Sequence, residues 1–175
     1  SFASLMRYSV NYGHTKVSLE TDVEYVNDYL LLQKTRYNNC LLYEFDIPEE
    51  LLECRVPKLL LQPVIENSIT HGYRAGQTLN IRVRAEHRGD ALRFTVSDDG
   101  AGIPAERLCE LRESFERDLA NEYTAHVGLY NIQKVIRLTY GAPYGVQIES
   151  TEGEGTAVTL TIPYEVEENE DAEGF

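Results

Sequence analysis

Cysteines, long apolar runs and positive charge are all scarce in this sequence, and each scarcity excludes something. Cys40, Cys54 and Cys109 are odd in number, widely spaced and in no paired spacing with histidine that would make a zinc site. They read as reduced thiols of a cytosolic setting. No apolar stretch approaches the roughly 20 residues needed to span a bilayer, and no signal-peptide pattern opens the chain. Lys and Arg total 16 against 29 Asp and Glu, a formal charge of −13, so the surface repels nucleic acid and anionic membranes. Neither is an expected partner. There is no internal repeat. What is there is 175 residues, 42% of them apolar, enough for one compact domain plus an appendage. The chain starts mid-pattern at Ser1-Phe2, and the expectation is a piece of a longer protein.

Taken in order, Phe2, Leu5, Met6, Ser9 and Val10 share a helical face closed by Gly13. Ser18 is a plausible N-cap, with Glu20 and Asp22 suited to the first turn of a second helix. Along it Leu19, Val23, Val26, Leu30 and Tyr37 recur in steps of three and four, and Tyr25, Tyr29 and Leu32 add a second stripe. That surface fits packing against its own domain as well as it fits a dimerising bundle. From residue 41 the period becomes two, with Leu41, Tyr43, Phe45 and Ile47 alternating until Pro48 closes the strand. Leu79 to His87 and Leu92 to Val96 form a hairpin about Arg88-Gly89-Asp90. Leu108, Leu111, Phe115 and Leu119 mark a helix; Gly128 opens another, with Leu129, Ile132, Val135 and Ile136 inward and Gly141 at its end. A last hairpin joins Val146 and Ile148 to Val158, Leu160 and Ile162 through Gly153-Glu154-Gly155. The pattern predicts an α/β fold of the α+β kind, a two-layer sandwich of one mixed, largely antiparallel sheet with helices on one face. It divides into a helical segment over 1–38, a globular domain over 39–164 and a disordered acidic tail over 165–175.

Four polar or glycine-rich elements fall at the ends of these segments. The stretch Leu59 to Gly72, LLLQPVIENSITHG, reads as a helix that Pro57 lets begin and Gly72 stops, with Leu61, Val64, Ile65 and Ile69 toward a core. Its other stripe carries Pro63, Asn67 and His71, the last two one turn apart. The others are Asp98-Asp99-Gly100-Ala101-Gly102 at a strand end, Val127-Gly128-Leu129 at a helix start, and Gly153-Glu154-Gly155-Thr156 in a hairpin. Each alone is a weak signal, since such turns usually serve only the backbone.

Together and in this order they resemble the nucleotide-binding boxes of the ATPase family shared by gyrase, Hsp90, MutL and histidine kinases. The closer resemblance is to sensor histidine kinases of the LytS/YesM type: LLLQPVIENSITHG to their N box, DDGAGI to the first glycine box, HVGLYNI to the second, and GEGTAVTLTIP to the closing strand pair. LMRYSVNYG and LETDVEYVNDYLLLQKTRYNN resemble the end of the family's helical phosphoacceptor region. The resemblance implies a Bergerat-type fold that binds ATP and Mg²⁺. Asn67 would be the metal ligand, a sufficient protein share because magnesium keeps waters and takes phosphate oxygens. Asp98 would accept from the adenine amino group and Thr156 would complete that contact; Gly100 and Gly102 would let the backbone approach the nucleotide. Gly128 and Leu129 would open a helix toward phosphate, His71 would lie near the phosphates, and residues 105–126 would form a lid.

Glu66 is the candidate catalytic carboxylate beside Asn67. The position of the hydrolysing relatives' glutamate is Pro63 here, however, and Glu66 lies about 100° around the helix from Asn67. Transfer of a phosphoryl group, which needs mainly positioning and charge neutralisation, fits better than hydrolysis. The sequence departs from the family at His126, where glycine is common, and at Tyr130, where a basic residue is common. The phosphoacceptor histidine of an NPHFLFN-like motif has no match: His14, His71, His87 and His126 stand in other contexts. The resemblance thus implies the ATP-binding catalytic domain of a bacterial two-component sensor histidine kinase, the cytoplasmic part of a membrane-anchored protein. This part would make no membrane contact itself, would dimerise through the helical region, and would pass a phosphoryl group to an upstream histidine and then to a response regulator. The alternatives are a degenerate nucleotide-binding signalling module without phosphotransfer, and an ATP-driven clamp of the gyrase or MutL sort.

Overall fold

In the computed structural model, which describes residues 16–116 and 127–167, the period-two segments assemble one sheet and the helical segments cover one of its faces. The strands β2 (Leu41–Asp46), β4 (Leu79–Arg88), β5 (Ala91–Asp98), β6 (Gly145–Thr151) and β7 (Gly155–Pro163) lie in the order β2-β4-β5-β7-β6. Only β2 and β4 are parallel; the other neighbours are antiparallel. A parallel pair needs a long crossover. That crossover holds β3 (Arg55–Pro57), which pairs with the short β1 (Lys16–Ser18), and then helix α2 (Gln62–Asn67) followed by a widened π turn at Ser68–Gly72. Helices α1 (Leu19–Arg36), α3 (Ala105–Glu116) and α4 (Val127–Tyr140) complete the covered side. This is the mixed α/β sandwich that the periodicities predict.

Alternation decides which face is covered. Leu79, Ile81 and Val83 of β4, Leu92, Phe94 and Val96 of β5, and Val158, Leu160 and Ile162 of β7 are buried with Ile65, Leu111, Ile132 and Ile136 in one core. The intervening side chains of β2 and β4 face water as ion pairs, Arg82 with Glu44 at 3.0 Å and Arg84 with Asp46 at 3.7 Å. Such exposed pairs contribute at most about 1 kcal/mol each. The fold is held by its apolar face.

Three expectations need correction. The helix does not begin at Pro57. Pro57 ends β3 opposite Lys16, Leu59 turns through a positive φ of 61°, and α2 starts only at Gln62. Pro63 sits in the first turn of α2, where its missing N–H costs nothing. The reason is a distant one: the buried carboxylate of Asp22 accepts the N–H of Leu59 at 2.9 Å and of Leu61 at 3.1 Å, and a helix begun at Pro57 would draw the Leu61 N–H to the Pro57 carbonyl instead.

The second concerns the boundary between 38 and 39, which does not divide the packing. Leu19, Val26 and Leu30 of α1 are fully buried in the same core as the sheet, below a cap in which the Ser18 hydroxyl accepts from the Thr21 N–H at 3.2 Å. The third is the tail, expected to be disordered from residue 165. The Arg55 N–H donates to the Glu165 carbonyl at 2.7 Å, Val166 bridges to Cys54, and Lys16 pairs with Glu165. The Phe2 to Gly13 face, His14, Leu119, His126 and residues 168–175 lie outside the described residues.

Candidate functional site

Three of the four motif elements meet at Asp98. It ends β5 with 9% of its surface exposed, and its Oδ1 accepts the N–H of Gly100 at 3.0 Å. Burial pushes its carboxyl above the usual range, against the nearby Ser68 hydroxyl and the Gly100 and Thr156 amides, which pull it down. Ser68 is itself buried. Although its hydroxyl lies close enough to lower Asp98, it makes no hydrogen bond of good geometry to any described atom. A carboxylate and a hydroxyl side by side make this a polar point within an otherwise apolar core.

Three glycines close the backbone round this point. A Cβ on Gly100 would stand 2.4 Å from the Gly72 Cα, and the Ala101 N–H donates to the Gly72 carbonyl at 2.9 Å. Gly102 has φ 66° and would place a Cβ 1.9 Å from the Thr151 carbonyl oxygen; Gly155 would place one 2.0 Å from that of Asp98. Gly100 and Gly102 are therefore required by packing between protein segments. Thr156 faces Asp98 across the β5–β7 ladder. Its hydroxyl lies 2.8 Å from that of Ser150, whose proton goes to the Gly155 carbonyl at 2.8 Å. Thr156 must then donate to Ser150, keeping its lone pairs as acceptors.

Asn67 is the last residue of α2, half-buried, with no capping bond from its side chain to the turn that follows. Glu66 accepts from the Gln62 amide at 2.7 Å and looks toward α1: burial first, then the Glu66 carboxylate, push the Tyr25 and Tyr29 hydroxyls upward. His71 is exposed on the π turn, where bonds run over five residues and a four-residue step is less than a full turn. Gly128 is exposed in the first turn of α4, where a Cβ would meet only Pro63, 3.7 Å away at its carbonyl oxygen. Leu129 is 2% exposed and part of the core, and Tyr130 is half-buried. The structure thus joins Asp98, Gly100, Gly102 and Thr156 around one point, brings the start of α4 against α2, and leaves His71 at the surface and Leu129 beneath it.

Two residues were not picked out from the sequence. Ser68 follows Asn67 as a small residue of the core stripe, and nothing in the pattern marks its hydroxyl. Asp22 had a signal: it stands three after Leu19 and four before Val26, on the buried face of α1. An acid at an inward position needs a partner. Among the described residues no group of three or more His, Cys, Asp or Glu could hold a metal, and no helix is long and apolar enough to cross a membrane.

Residues 56–166 match the family described as histidine kinase-, DNA gyrase B-, and HSP90-like ATPase, and residues 1–41 match a histidine kinase family. The sensor histidine kinase YesM of Bacillus subtilis is 31% identical over 164 residues, which are 93% of this chain and 26% of YesM. The sensor protein kinase HptS of Staphylococcus aureus is 29% identical over 161 residues, 92% of this chain and 30% of HptS. The chain therefore spans under a third of these relatives. Among solved structures, the catalytic domain of histidine kinase ThkA superposes with a TM-score of 0.62 at 21% identity, covering 86% of this chain and 95% of that one. The mycobacterial sensor histidine kinase MprB gives 0.60 at 18% identity, covering 88% and 99%. ThkA in complex with the response regulator protein TrrA gives 0.60 at 20% identity, covering 93% and 46%. At these identities the structures show a shared fold.

Proposed function

Since the chain belongs to the histidine kinase-, DNA gyrase B-, and HSP90-like ATPase family, we propose that it is the ATP-binding catalytic domain of a two-component sensor histidine kinase. The parent protein transfers the γ-phosphoryl of Mg-ATP to a histidine upstream, and from there to an aspartate of a response regulator. One observation carries the reading: the buried Asp98 carboxylate, with the buried Ser68 hydroxyl beside it, at the meeting point of the glycine turns. An acceptor held there suits the exocyclic amine of adenine and disfavours guanine, whose carbonyl would face a carboxylate. Thr156, with its lone pairs free, supplies a second acceptor on the same side.

Asn67 is the residue that would hold magnesium. Its amide is uncapped at the end of α2, and a single amide oxygen is enough where the nucleotide's own phosphates complete the shell. The metal would supply charge neutralisation at those phosphates. The first-turn N–H groups of α4, beside Gly128, favour anions through the helix dipole. Glu66, held by Gln62 and turned to α1, is a poor base for activating water, which supports transfer over hydrolysis. We place the domain on the cytoplasmic side of a membrane-anchored bacterial protein, dimeric through α1 and the residues before it, with the response regulator as partner.

Calorimetric titration with ATP tests this. Binding that strengthens with magnesium, and loses that increment in Asn67→Ala, is the expected result; no ATP binding with or without magnesium overturns it. The chain incubated with radiolabelled ATP is expected to stay unlabelled, because the acceptor histidine lies elsewhere in the parent.

A further inference from the structure

Asp22 lies on α1, outside the site just described, and is fully buried. Its two oxygens serve two main-chain donors, the Leu59 and Leu61 N–H groups, on the turn that leads into α2. Leu61 is held on both sides, for its carbonyl accepts the N–H of Ile65 at 3.1 Å inside the helix. From there α2 runs only to Asn67, about 9 Å of helix at 1.5 Å per residue. The Leu59–Leu61 turn fixes where that helix starts, while the π turn beyond Asn67 is held by Gly72 against Gly100. At the far end Glu66 faces Tyr25 and Tyr29, also on α1. Helix α1 thus holds the base of α2 through the Asp22 carboxylate.

A buried carboxylate is a costly way to hold a turn, and an apolar side chain of the same volume would serve stability as well or better. What the carboxylate adds is direction: two acceptors aimed at two N–H groups, fixing where the helix starts and which way it points. We infer that Asp22 is a positioning residue for Asn67, setting the magnesium ligand from α1 through the Leu59–Leu61 turn. This rests on the reading of Asn67 as metal ligand.

Asp22→Asn keeps the shape but turns one acceptor oxygen into an NH₂ that opposes a main-chain N–H, so the turn must shift. Titration with ATP is expected to show the magnesium-dependent affinity falling by roughly tenfold, the scale of one charge-assisted hydrogen bond, while magnesium-free binding changes less than about twofold. Wild-type behaviour in Asp22→Asn overturns the inference. So does an equal loss with and without magnesium, which would make Asp22 a plain stabiliser. If Asp22→Asn does not fold, Asp22→Glu, which moves both oxygens by one methylene, is expected to show the same magnesium-specific loss, and unchanged binding there overturns it. Should the wild type bind no Mg-ATP, the proposed function fails separately. The side-chain amide resonance of Asn67 then decides: a shift between wild type and variant supports the positioning link, and an unmoved resonance rejects it.

Discussion

Gly100 stands so close over Gly72 that a Cβ on Gly100 would lie 2.4 Å from the Gly72 Cα. The strand-end turn and the widened turn after α2 are thereby locked together, one by each glycine. Gly100→Ala has no flexible neighbour to push aside and is expected to lower stability by about 1–3 kcal/mol, the usual cost of overpacking. Gly102→Ala meets both a carbonyl at 1.9 Å and a φ of 66°, so it should cost more. Thermal unfolding of the two variants checks both the loss and the order.

Gly128 is the contrasting motif glycine. Its missing Cβ has open space, with Pro63 no nearer than 3.7 Å, and its backbone is helical. Gly128→Ala should therefore hold or raise stability, by about 0.5 kcal/mol on helix propensity, while weakening ATP binding. A fall in melting temperature would show that the space is not open.

Asp98→Asn leaves the fold but exchanges a charged acceptor for an amide that can offer hydrogen to the base. Loss of a hydrogen bond to a charged group is worth about 1.5–3 kcal/mol, or roughly 10- to 100-fold in ATP affinity. Discrimination against GTP should narrow at the same time. Competition titrations with both nucleotides read it; unaltered selectivity would remove Asp98 from the adenine contact.

Burial pushes the Asp22 carboxyl up to about 6 from an ordinary 3.8, against the amides of Leu61, Leu59 and Leu60 that stabilise its charge. The folded chain therefore binds this proton more tightly than the unfolded chain. Between about pH 4 and 6 the contribution of Asp22 to stability falls as pH rises, by about 3 kcal/mol in all, and is level above. Urea unfolding of the wild type and Asp22→Asn over pH 4–7 should show the wild type losing ground as pH rises. The reverse slope would mean that the main-chain donors outweigh burial.

Gln133 ties three elements together from inside the core. Its Oε1 accepts the Val146 N–H at 2.7 Å and its Nε2 donates to the Phe115 carbonyl at 3.4 Å. Gln133→Leu leaves a buried N–H without an acceptor and is expected to cost about 1–3 kcal/mol in urea unfolding.

Local regularities carried far into the fold. The alternation from Leu41 to Asp46, the hairpin about Gly89, the Ser18 cap and the inward leucines of α3 are all set by neighbours in the chain, and each is where the pattern puts it. The segment from Pro57 to Leu61 departs from its local pattern because its geometry is imposed by Asp22, 37 residues before Leu59. A run of three leucines reads the same whether or not a carboxylate waits beneath it. The glycines were legible as a motif, but their packing roles against Gly72 and Thr151 depend on strand order, which no local pattern encodes. The hydroxyl of Ser68 became notable only once Asp98 was beside it.

Asp22 lies within residues 1–41, which match the histidine kinase family, whereas Leu59 and Leu61 lie within residues 56–166, which match the ATPase family. Recombination that joined the upstream helix of one sensor to the sheet of another near residue 39 would hand those two amides a foreign side chain. It would also separate Lys16 from its strand partner Pro57. A crossover before Lys16 would leave all of these contacts whole, so helix α1 and the sheet would travel together as a single unit of exchange.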